Sequence, residues 1–372
     1  LLFVAHPWQE AIEPHLDEFE QLTGMEVSLN TLSETLFWDK VVTGLKAEET
    51  PFDLTFLAAG FDTMSYYKNG WLEPLDEYIN DSELTDKEWY DLEDINSTYR
   101  QNFLLPDLEG ELYGMPITSE VYMLWYRTDV FEELGIDADE LETIDDWMEA
   151  TRRVHEETDL YGASIRGGAI GIKDEITAMA HDYWGDQPYI FGRDMYFDEN
   201  WCPQFTHPRI KEAVSTWAQV MNYAPPGVTA YTWYDAVTAF RQGLTGTYWF
   251  DASLFSPSFE DPEQSNIAGK VGYSVVPRTE YGHKTSYWSW GLGIPAHAKD
   301  KEAAWLFIEW ATSKYGETIT APNTWGATRE STWNDPAYAE SLPQEYVDAV
   351  SASMKIVEPS LLYLTPSEEV MK

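Results

Sequence analysis

The chain has 372 residues, of which 44% are hydrophobic, enough for a large core split over two or three compact units. Its 65 acidic residues against 23 basic ones leave a net charge of −42, a field that repels phosphate backbones and excludes nucleic acid as a partner. A mean hydropathy of −0.41, with no apolar run near the length of a membrane span, excludes a transmembrane helix.

In chain order, Leu1–Ala5 is a short apolar run halted by His6 and Pro7, and it predicts a first strand rather than a signal peptide. Ile12, Leu16, Phe19 and Leu22 then recur at helical spacing up to Gly24, a residue suited to a helix C-terminus. Met25–Asn30 alternates as a strand does, Thr35–Glu49 has a helical pattern, and Phe52–Ala59 is a buried strand ending at Gly60. This alternation implies a parallel sheet covered by helices, with ligands outside the carboxyl ends of the strands. The loops His6–Glu10, Ser33–Glu34 and Gly60–Asp62 are then candidate ligand loops, which brings in Trp8 and Phe61.

A second α/β region opens near Gly114. Val121–Tyr126 predicts a strand, and Asp129–Leu134 a helix closed by Gly135. Thr143, with Asp146 three residues on, is a capping signal for a helix to Thr158. Strands follow at Tyr161–Arg166 and Val271–Val276, and a last helix carries Ala304, Phe307, Ile308 and Ala311 on one face. The acidic patches such as Asp81–Asp94 fit solvated helix faces and turns.

Several chemistries lack their residues. The seven histidines form no HExxH or HxH spacing, no GxSxG elbow occurs, and Gly269-Lys270 is followed by Val271, which has no hydroxyl for a nucleotide's magnesium. A single cysteine, Cys202, allows no intrachain disulfide. Aromatic residues make up 15% of the chain, a surplus of flat amphipathic surface beyond what a core needs. So acidic and lysine-poor a surface suits a protein exposed directly to concentrated salt, hence a halophilic, extracytoplasmic setting.

Ordered blocks point to one family. Gly70-Trp71-Leu72-Glu73-Pro74-Leu75-Asp76, Leu112–Ile117 with Trp125–Phe131, Phe240-Arg241-Gln242-Gly243, Trp288–Pro295 and Gly326–Thr332 together resemble the family 1 extracellular solute-binding proteins of ABC importers, in particular the sugar and sugar-alcohol binders. The resemblance implies a two-lobed α/β fold of the type II periplasmic-binding-protein kind. Each lobe would be a mainly parallel sheet flanked by helices, one formed by 1–113 with 284–316 and the other by 114–283 with 317–372. The family usually carries further helical segments beyond the equivalent of Lys372, so the second lobe is expected to be truncated or reduced. It also implies a monomer without enzymatic activity or cofactor, in the periplasm or on the outer face of the membrane, with or without a lipid anchor. Such a protein hands a small neutral carbohydrate or polyol to the permease subunits when its lobes close on the solute.

Carboxylates and guanidinium groups suit the hydroxyls of such a solute, and indole rings suit its C–H faces. The resemblance places Glu120, Arg166, Asp251, Trp290 and Arg329 at cleft positions, and Trp249 and Trp288 are further ligand-binding candidates. The competing reading pairs Arg166 and Arg329 with acidic neighbours and puts Trp249 and Trp288 in the core. Two further functions compete: capture of a cation such as a polyamine or betaine through cation–π contact, and glycoside hydrolysis by paired carboxylates.

Overall fold

The computed structural model describes residues 1–60, 62–169, 171–190 and 192–359. In chain order its strands are β1 (Leu2–Val4), β2 (Asn30–Leu32), β3 (Thr55–Ala58), β4 (Leu104–Leu105), β5 (Glu111–Leu112), β6 (Met115–Pro116) and β7 (Glu120–Arg127). There follow β8 (Tyr161–Ser164), β9 (Thr245–Ala252), β10 (Val271–Ser274), β11 (Thr285–Trp288), β12 (Trp290–Gly293) and β13 (Val357–Pro359). Among the described residues, no helix is long and apolar enough to cross a membrane.

The chain folds into two units. Unit 1 comprises Leu1–Ser119 and Ser289–Ser341; unit 2 comprises Glu120–Trp288 and, among the described residues, 342–359. The divisions therefore fall at 119/120, 288/289 and 341/342, where the sequence reading placed them at 113/114, 283/284 and 316/317. Two packing facts account for the shift. Strand β6 pairs with β12 inside the unit 1 sheet, which carries the chain beyond Gly114. The stretch after Glu317 is tied back onto unit 1 by Arg329 and by Glu317 itself. Residues 360–372, part of the expected second lobe, lie outside the described residues, as does Phe61.

Unit 1 is built on a five-stranded sheet in the order β2-β1-β3-β12-β6. Strand β1 runs parallel to β2 and β3, while β12 is antiparallel to both β3 and β6. Unit 2 is built on the order β13-β11-β7-β9-β8, with β10 also paired to β7. Only the β8/β9 and β11/β13 pairings are parallel there; β7 is antiparallel to β9, β10 and β11. Both sheets are thus mixed rather than mainly parallel.

Local signals are visible in the elements. The Thr143/Asp146 capping box opens helix Ile144–Glu157, and Gly24 and Gly135 end their helices at φ 74° and 62°. Helix Ile12–Leu22 is instead broken into Pro7–Ile12, a 3-10 turn Glu13–His15 and Leu16–Thr23, because Pro14 cannot supply an N–H to a continuous helix. The alternating segment Met25–Asn30 forms its strand later, at Asn30–Leu32, where β1 sets the register through Leu2↔Asn30. Upstream, the Val27 N–H is taken by the Glu20 carboxylate at 2.6 Å. Each sheet is covered by its own apolar helix faces: Phe3, Phe56 and Phe307 meet in unit 1, and Trp125, Tyr248 and Phe259 in unit 2.

Candidate functional site

Strand directions in unit 2 gather four of the expected residues at one edge of its sheet. Because β7 is antiparallel to β9 and β11, and β9 is parallel to β8, the start of β7 lies beside the ends of β8, β9 and β11. Glu120 begins β7, Trp288 ends β11, Asp251 lies next to the end of β9, and Arg166 follows β8 by two residues. Glu120 and Trp288 are direct cross-strand partners, so their side chains share a face. The Lys173 ammonium lies 5.2 Å from the centre of the half-buried Trp288 ring.

Asp251 owes its direction to an irregularity in β9. Trp125 pairs with Tyr248 and Met123 with Asp251, so three steps along β9 match two along β7. The extra residue is a β-bulge, and Phe250 takes the left-handed φ of 44° there. In a regular strand residues 248 and 251 would face opposite sides. Across the bulge, the Tyr248 hydroxyl donates to Asp251 Oδ2.

Arg166 is 6% exposed and Asp251 fully buried. The guanidinium grips the carboxylate with two donors, Nε to Oδ2 at 2.8 Å and Nη2 to Oδ1, and Nη1 reaches Asp174 Oδ2 at 3.3 Å. Both Glu175 oxygens accept the Arg166 backbone N–H at 2.9 Å. Gly171, at φ 98°, closes the loop over this group; a Cβ there would stand 3.0 Å from Arg166 Cδ and 3.2 Å from Nη1. Burial disfavours the charge of Arg166, but the charge and hydrogen bonds of Asp251, with Tyr122 and Tyr248, together outweigh it and hold the guanidinium well above its ordinary range. Burial also pushes both carboxyls above their ordinary range. On Asp251 the charge and donors of Arg166 and the Tyr248 hydroxyl pull back, whereas Glu175 has the charge of Asp251 added to its burial and rises well above that range.

The remaining candidates are placed differently. Trp249 is buried, its indole N–H donating to Thr151 and Thr247 hydroxyls at 3.1 and 3.0 Å, which puts it in the core of unit 2. In unit 1, Trp8 is buried edge-on against Phe56. Trp290, paired opposite Ala58, stacks on Trp38 at 5.6 Å and 17°. Arg329 is fully buried, with four of its about five donors spent inside unit 1 on the carbonyls of Thr312, Asp91 and Tyr90 and on Asp94 Oδ2.

The family model described as bacterial extracellular solute-binding protein matches residues 5–317. The chain belongs to this family. The mannitol-binding protein of Pseudomonas aeruginosa is 28% identical to this solute-binding protein over 344 residues, covering 90% of the chain and 73% of that relative. The erythritol/L-threitol-binding protein of Mycolicibacterium smegmatis is 28% identical over 327 residues, 84% of the chain and 66% of that relative, so the chain spans about two thirds to three quarters of these proteins. Among solved structures, an ABC transporter solute-binding protein from Agrobacterium vitis with bound D-mannitol superimposes at a TM-score of 0.80 with 28% identity, covering 95% of this chain and 82% of that one.

Sequence reasoning missed several residues around this solute-binding protein's unit 2 sheet edge, Lys173, Asp174, Glu175 and Tyr248, and in unit 1 it missed Trp38 beside Trp290. Asp174 and Glu175 had a signal, since acidic residues opening a helix after Gly167-Gly168 face the end of the preceding strand. Tyr248 had none, because only the bulge brings it to Asp251. Among the described residues, no group of three or more His, Cys, Asp or Glu side chains is placed to hold a metal ion. Nor is the close carboxylate pair available for hydrolysis: Asp251 and Glu175 are both committed to Arg166.

Proposed function

We propose that this protein captures an acyclic polyol, with D-mannitol the first candidate, through the edge of the unit 2 sheet that carries Glu120, Arg166 and Trp288. The protein is the ligand-binding component of an ABC importer for a neutral sugar or sugar alcohol. It works outside the cytoplasm with the importer's permease subunits, and its family is non-catalytic. The observation that carries the choice of solute is the 28% identity to a mannitol-binding protein over 90% of the chain. The chemistry at the edge is consistent with it. Guanidinium N–H groups and a carboxylate complement hydroxyls, and an indole complements C–H faces. In unit 1 the candidate is Trp290. The Arg166 charge disfavours a cationic solute.

Isothermal titration with D-mannitol, erythritol, D-glucose, maltose and spermidine tests the proposal. A micromolar constant, about 8 kcal/mol, is expected for D-mannitol or erythritol. Binding of spermidine alone, or of none of the neutral solutes, overturns it.

A further inference from the structure

We propose that Asp251 and Tyr248 are positioning residues: they hold the Arg166 guanidinium in one orientation and leave contact with the solute to it. An ionised carboxylate offers about four acceptor directions. On Asp251 the protein fills them all. Oδ1 takes Arg166 Nη2 and the Ala252 N–H at 2.7 Å, and Oδ2 takes Arg166 Nε and the Tyr248 hydroxyl. With the side chain fully buried, no direction is left for a solute hydroxyl. A guanidinium carries about five N–H donors. Three are engaged by Asp251 and Asp174, so among the described residues one on each terminal nitrogen is uncommitted.

The guanidinium is fixed from other sides as well. The Phe255 ring lies 5.8 Å from its central carbon, and the Arg166 backbone N–H is anchored on Glu175. The Phe250 bulge is the device that makes this possible, since it turns residues 248 and 251 toward the same group. A donor plane fixed before the solute arrives loses less side-chain entropy on binding.

This inference rests on the polyol reading, and the experiment separates the two. Titrations with D-mannitol compare the unaltered protein, Tyr248→Phe, Arg166→Lys and the double variant. The Tyr248→Phe substitution keeps the buried ring and is expected to weaken binding about three- to ten-fold, the worth of one buried hydrogen bond. In the Arg166→Lys background it is expected to cost less than about two-fold, because the planar group it orients is gone. A Tyr248→Phe loss that persists undiminished in that background overturns the inference. A second arm measures Asp251→Asn against D-mannitol and its monodeoxy analogues. Arg166→Lys is measured on the same series: Asp251→Asn and Arg166→Lys losses that fade for the same analogue support positioning, and an Asp251→Asn loss that vanishes for an analogue on which Arg166→Lys keeps its full effect shows direct contact and overturns it. Should Asp251→Asn fail to fold, the Tyr248 cycle decides alone. If the unaltered protein binds no polyol at all, the polyol reading fails first.

Discussion

Two buried arginines show how a residue's role depends on where its donors end. Arg329 spends four of its about five donors on three carbonyls and Asp94, whereas Arg166 spends three and, among the described residues, keeps two N–H groups uncommitted. Replacing Arg329 by Met strands Asp94 and three buried acceptors and should cost about 3–5 kcal/mol of stability in urea unfolding. Under stabilising conditions, D-mannitol affinity of the folded variant should stay near that of the unaltered protein; a large loss of affinity would return Arg329 to the site. Asp182 gives a pH prediction. Its Oδ1 accepts the Lys284 N–H at 2.9 Å, its Oδ2 has no partner among the described residues, and burial pushes the carboxyl up to about 8 against the opposing pull of the Lys284 N–H. Because the folded state holds this proton where the unfolded chain, at 3.8, has lost it, the stability that Asp182 contributes should be full below about pH 4. It should fall as pH rises toward 8 and then level off. Thermal melts of Asp182→Asn should show a visibly flatter slope across that window, and an unchanged slope would refute the assignment.

At the scale of elements, the site depends on departures from regular structure. A regular β9 would aim Asp251 away from Tyr248, and the loop after β8 must fold back against Arg166 with a glycine at its closest approach. Gly171→Ala places a methyl at 3.0 Å from Arg166 Cδ with a φ of 98° that L-residues avoid. It should destabilise the protein by about 1–3 kcal/mol and weaken D-mannitol binding together with it. Melting and titration of the same variant check both effects, and an unaltered melting temperature would show that the loop relaxes freely. These irregularities also mark where the sequence stopped being legible. Capping signals at Thr143 and Gly135 could be recognised because they are local. The bulge at Phe250 leaves no such trace, as an aromatic residue gives no hint of a left-handed backbone.

Across the whole molecule the dominant quantity is the charge of −42. Self-repulsion of that size is screened as the Debye length falls from about 10 Å at 0.1 M salt to about 3 Å at 1 M. The melting temperature should therefore climb by several degrees between those concentrations, and a scanning-calorimetry series in sodium chloride that stays flat would show that the acidic surface carries no stability cost. Composition, charge, the strand and helix alternation and the order of the family blocks were all set by the sequence alone, because each depends on local pattern or on residue identity. The sequence also named Glu120, Arg166, Asp251 and Trp288, which strand direction in unit 2 then gathered at one sheet edge. Only the tertiary structure decided how their hydrogen-bonding capacity is spent. Whether a buried charge faces a solute or a neighbouring carbonyl depends on contacts between residues as far apart as Arg166 and Asp251, or Arg329 and Asp94, and no local spacing encodes them.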